Sequence, residues 1–97
     1  MNDEELTALA AKALGNAPET FSPLTDDGDA LRLAVALHIG IRSNGPNHWQ
    51  NANETIAIWD DHEGVPRQLR QAHDGDPRAA TRTAVVRAAA AIGEQMP

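Results

Sequence analysis

Phe21-Ser22-Pro23-Leu24-Thr25-Asp26-Asp27-Gly28-Asp29-Ala30-Leu31 runs straight into Arg32-Leu33-Ala34-Val35-Ala36-Leu37-His38-Ile39, and the reading of this stretch decides the fold. Pro23 holds Ser22 extended. Thr25, Asp26 and Asp27 then stand where a helix begins, with oxygens able to accept the free amides of a first turn. The body from about Asp27 to His38 is apolar on almost every face. Leu31, Ala34, Val35 and Leu37 cover much of it, Ala30 and Leu33 fill the rest, and only Arg32 and Ala36 are left for solvent. A helix apolar nearly all round is buried on more than one side. The sequence therefore predicts that residues 30–39 form the centre of the molecule. Phe21, the only phenylalanine, plugs that centre from the connector 16–24.

Upstream, Leu6, Leu9, Ala10, Ala13 and Leu14 recur at helical spacing, which predicts an amphipathic helix over 3–14. Asp3, Glu4 and Glu5 suit the positive end of its dipole, and Gly15 with Pro18 ends it. Downstream the period changes. Ile39-Gly40-Ile41-Arg42 alternates like a short strand, and residues 43–54 read as a long polar loop. Thr55-Ile56-Ala57-Ile58-Trp59 is the best strand in the chain. Residues 60–64 make a hairpin loop, and Val65 to Gln71 pairs back, with Pro66 confining it to an edge. Asp76-Pro77 opens a last helix that ends near Gly93. Its many alanines imply close packing on the second helix or the sheet. The expected fold is a single α+β domain over 1–97, order α-α-β-β-β-α, with about three antiparallel strands packed against helices.

Composition bounds the function. The chain has 97 residues, no cysteine, and three aromatic side chains, Phe21, Trp49 and Trp59. The core must be built from Leu, Ile, Val and Ala, and neither a disulfide framework nor a cysteine nucleophile is available. No apolar run approaches a membrane span, and the acidic first residues do not read as a secretory signal, so a cytoplasmic location is expected. Net charge is -6, with eleven acids against three bases in 1–63 and five arginines against three acids in 64–97. An acidic chain is repelled by nucleic-acid backbones, which argues against that partner. Oppositely charged halves suit a homodimer.

The residues offer few chemical constellations. Asp26, Asp27 and Asp29 lack the alternating ligands and closing glutamate of a calcium loop, and helix capping explains two of the three. His38, His48, His62 and His73 show no one-turn pair of a helical zinc site. His38 reads as a partly buried residue at the end of the second helix, His62 and His73 as exposed loop residues. Asp60, His62 and His73 form an acid–base or metal-dependent hydrolase site only if the hairpin meets the following loop. Arg78 and Arg82 lie one turn apart and, with Arg67, Arg70 and Arg87, offer a small ligand or nucleotide its phosphate contacts. Trp49, beside His48 in the polar loop, either anchors a partner or folds back over the sheet. No residue is assigned to catalysis, to a metal or to a cofactor. The candidate binding residues are Trp49, His48, Arg78 and Arg82.

The segments 21–31 and Ala79-Ala80-Thr81-Arg82-Thr83-Ala84-Val85-Val86-Arg87-Ala88-Ala89 resemble small bacteriophage proteins of the phage alpha–beta–alpha sandwich domain family. The likeness spans roughly 6–92, and the distinctive part is Thr25-Asp26-Asp27-Gly28-Asp29. It implies a phage or prophage accessory protein at work in a bacterial cell, and it carries no catalytic residues with it. The resulting expectation is a non-enzymatic protein that binds a bacterial host protein, such as a defence or replication factor.

Overall fold

The computed structural model describes residues 1–50 and 52–97. Its elements are α1 (Asp3–Leu14), α2 (Asp27–Ala36), β1 (Gly40–Asn44), β2 (Glu54–Asp60), β3 (Pro66–Ala72) and α3 (Pro77–Glu94). The strands form an antiparallel sheet in the order β1-β2-β3, so the α+β architecture and the α-α-β-β-β-α order are as expected. Register aligns Ile41, Ala57 and Leu69 across the sheet, and Ser43, Thr55 and Gln71 likewise. These residues share the face that meets α3. Because Ser43 and Asn44 pair with Thr55 and Glu54, β1 runs two residues further than the alternation suggested. Asn51, in the loop that follows, lies outside the described residues.

The centre is not where the sequence placed it. In α2 only Ala30, Leu33 and Ala34 are buried, while Leu31 is 62% and Val35 66% exposed. Residues 30–39 lie at one side of the molecule. The buried axis is α3, where Ala80, Ala84, Val85, Val86, Ala88, Ala89, Ala90 and Gly93 are all enclosed. One side of α3 packs on the sheet, and others carry α1 and α2. The physical reason is size. A helix surfaced with alanine lets neighbours approach on every side, whereas a leucine-rich helix needs only one deep contact to bury its largest side chain. At Gly93 the approach is too close for a side chain, since a Cβ there would stand 3.0 Å from the Leu9 carbonyl carbon of α1.

Local chemistry explains the ends of α2. The Asp26 side chain accepts from the Asp29 amide at 3.0 Å, so one aspartate caps the helix, whereas Asp27 bonds Arg82 and Asp29 bonds the Ser22 amide and Arg32. The end of α2 comes earlier than His38. The Ile39 amide donates to the Ala34 carbonyl at 2.9 Å and the His38 amide to Val35 at 3.3 Å, with His38 at φ 56. This is the left-handed stop that glycine usually occupies, locked by buried Ile39 and Ala34. His38 is exposed, not partly buried. The stop turns the chain back sharply, and β1 starts at once. Phe21 packs on the core from the connector, as expected.

Two aspartates tie loops to this frame. Asp29 accepts from the Ser22 amide at 2.8 Å and from Arg32 at 2.6 Å, and these bonds, the amide first, hold its carboxyl below the ordinary aspartate value. Asp61 accepts from the Val65 and Glu63 amides and from Arg67, each at 2.9 Å. The Val65 bond lowers its pKa most, while partial desolvation works against it. Folded-state values below the unfolded ones mean stability that is present above pH about 4 and lost as pH falls through the folded values. Thermal melting should therefore hold steady, as far as these groups go, down to about pH 5 and fall below it. The double variant Asp29→Asn, Asp61→Asn should start lower at neutral pH and show a shallower acid fall. An unchanged acid slope in that variant would show that other carboxylates govern it.

Candidate functional site

The turn at His38 leaves α2 and β1 side by side without pairing, and α3 passes beneath both. Between them lies a cavity of about 280 Å³. Its apolar walls come from Ala30 and Leu31 of α2, Ile41 of β1 and Val85 of α3. Ser43 and Thr81 supply hydroxyls, and Asp27, Arg78 and Arg82 stand at the rim. The space is just below the range of about 300–1,000 Å³ typical of drug-sized ligand pockets. It suits one or two side chains better than a nucleotide.

The apolar surface continues beyond the cavity. Leu31 and Val35 are one helical turn apart, both well exposed, and Ile41 is 40% exposed on the neighbouring strand. Among the described residues β1 pairs with β2 alone, so its other edge has backbone amides and carbonyls left unpaired beside the groove. The opposite edge of the sheet differs. β3 opens on Pro66 and carries Arg67, Gln68, Arg70 and Gln71, the proline and charge that discourage strand addition.

Behind the groove lies a polar cluster. The Thr55 hydroxyl meets His73 Nε2 at 3.0 Å and the Thr81 hydroxyl at 2.9 Å. Ser43 Oγ lies 3.4 Å from the same imidazole nitrogen. His73 is 7% exposed and Thr55 fully buried, which corrects the reading of His73 as a surface loop residue. One nitrogen serves two hydroxyls, and the shorter bond goes to Thr55 rather than to the exposed Ser43. The cluster ties β2, the end of β3 and α3 together. His62 is far from it, in the β2–β3 hairpin, where it bonds Gln95 Oε1 at 2.8 Å. The six residue steps from Pro66 to Ala72 separate the hairpin from His73 by about 20 Å. Asp60 and His62 therefore do not meet His73. Among the described residues no group of three or more His, Cys, Asp or Glu is placed to hold a metal ion.

The arginines fare unequally. Arg82, only 18% exposed, reaches Asp27 at 2.5 Å and the Leu24 carbonyl at 2.9 Å, clamping α3 to the start of α2. Acidic and basic halves thus mate within one chain at this point. Arg87 bonds the Arg70 carbonyl and Gln71, and Arg67 pairs with Asp61. Arg70 lies 3.7 Å from Glu54. Arg78 is exposed and, among the described residues, has no ion-pair or hydrogen-bond partner. Trp49 is 84% exposed, so it does not fold back over the sheet. His48 is held by Arg42 Nη2 at 2.9 Å and by the Gln50 carbonyl. Arg78 and Arg82 meet at the groove, and Trp49 and His48 share the β1–β2 loop. Among the described residues their hydrogen bonds do not cross from one pair to the other: His48 bonds Arg42 and Gln50, and Arg82 bonds Asp27 and Leu24.

Sequence reasoning missed Leu31, Val35 and Ile41 as surface residues. The available signal was the surplus itself, since a helix apolar on more faces than its neighbours can cover must leave some apolar surface bare. Comparison of the chain with protein-family models, with curated proteins and with solved structures gives no match.

Proposed function

We propose that this chain is a non-enzymatic binding protein that takes an extended segment of another protein onto the free edge of β1, under α2. The observation that carries this reading is the unprotected strand edge beside exposed Leu31, Val35 and Ile41. Strand addition supplies backbone hydrogen bonds, and a groove beside the edge supplies specificity through alternate side chains. Both parts are present here. The resemblance to phage accessory proteins supports a bacterial host protein as the partner, and the acidic surface supports a protein rather than a nucleic acid.

A second copy of the chain is the weaker occupant. Antiparallel self-pairing about the middle of Gly40–Asn44 sets Arg42 against its own copy, and like charges directly opposite are unfavourable. The test is retention of proteins from bacterial lysate by the immobilised chain, read by mass spectrometry. The double variant Leu31→Asp, Val35→Asp changes only exposed positions and should keep its melting temperature within a few degrees. It should lose at least about 90% of the specifically retained partner, a tenfold or greater weakening. An identical retained set for both proteins would overturn the reading.

A further inference from the structure

Resting on the docking reading above, we infer that the segment received by β1 carries a carboxylate side chain two residues away from an apolar one. The inference comes from the period of a strand. Ile41 and Ser43 point to the same face of β1, toward α3, and lie about 6.7 Å apart. A strand added to β1 presents its own side chains at the same interval. One of them, opposite Ile41, enters the apolar end of the cavity formed by Ala30, Leu31 and Val85. The next on that face, two residues along, arrives at the other end, where Ser43, Thr81 and Arg78 stand.

That end is matched to a carboxylate. Arg78 projects there from the first turn of α3 with no partner among the described residues. The acids near it are engaged or turned elsewhere. Asp27 is paired with Arg82, Asp76 accepts from the Ala79 amide at 3.1 Å, and Asp74 lines a separate hollow with Asn53 and His73. A guanidinium offers a carboxylate two parallel hydrogen bonds, and Ser43 and Thr81, already bonded to His73 and Thr55, make this end polar rather than apolar. An apolar side chain at this end would leave the Arg78 guanidinium uncompensated, and a basic one would meet Arg78 directly.

The test is selection from a random decapeptide display library, with blocked termini, against the full chain and against Arg78→Glu. The substitution places an acid near a helix N-terminus, where it is tolerated. Wild type should enrich sequences with Asp or Glu two positions from Leu, Ile, Val or Met, in either chain direction. Arg78→Glu should shift that position to Lys or Arg. In an enriched peptide, Glu→Gln should weaken binding to wild type about tenfold and should not weaken binding to Arg78→Glu. Enriched peptides that lose binding to Leu31→Asp, Val35→Asp but show no acidic preference would overturn this inference and leave the docking reading standing. No enrichment, or enrichment indifferent to Leu31→Asp, Val35→Asp, would overturn both.

Discussion

Leu33→Ala is expected to lower stability by about 2–5 kcal/mol, while Leu31→Ala, two residues away on the same helix, should change it by no more than about 0.5 kcal/mol. Leu33 is fully enclosed and heads the largest buried side chains, whereas Leu31 is mostly in water. A domain of 97 residues has a total stability of roughly 5–15 kcal/mol, so the first change takes a large share of it. At about 4–8 °C per kcal/mol, the melting temperature should drop by at least 8 °C. The pair isolates one question, namely which face of α2 is inside. Equal losses from the two variants would restore the view that α2 is walled in on all sides.

Gly93→Ala carries the second large effect, and here the sign decides. Helix propensity alone would make the change stabilising by about 0.8–1 kcal/mol, because glycine is a poor residue inside a helix. Packing works the other way. The new methyl would meet the backbone carbonyl of Leu9, which cannot rotate aside as a flexible side chain would. α1 must move outward, loosening Ala10 and Leu6 from the core. Overpacking of this kind costs about 1–3 kcal/mol, enough to exceed the propensity gain. Urea unfolding should show a lower midpoint for Gly93→Ala than for the wild type. A higher midpoint would mean that α1 and α3 are further apart than described.

The element order was legible because each boundary has a local cause. Asp26 caps α2, Asp76 with Pro77 starts α3, and Gly15 and Pro66 punctuate as their backbone limits require. Burial was less legible, since it depends on which neighbours a helix finds. Hydrophobicity favoured α2 as the centre, but the closest packing went to α3, whose alanines and Gly93 admit the sheet and two helices at once. His73 looked like a loop residue from its neighbours Asp74 and Gly75, yet it is drawn inside by Thr55, eighteen residues earlier. Of the residues singled out for binding, Arg78 was recognisable as a cation. That it has no partner among the described residues, while Arg82 is clamped to Asp27, depends on α2 and α3 crossing, fifty-five residues apart in the chain. The groove itself is a product of the His38 turn, and no local pattern announces it.

Residue-resolved amide hydrogen exchange, with and without an excess of a decapeptide carrying Glu two residues before Leu, tests the docking edge most directly. In the free chain, amides of Ala84–Ala90 should exchange slowest, and those amides of Gly40–Asn44 not bonded to β2 should exchange freely. Peptide should slow exchange at Gly40–Asn44 while leaving β3 unchanged. Protection that falls instead on Pro66–Ala72 or on the loop around Trp49, or no protection anywhere, would contradict the account.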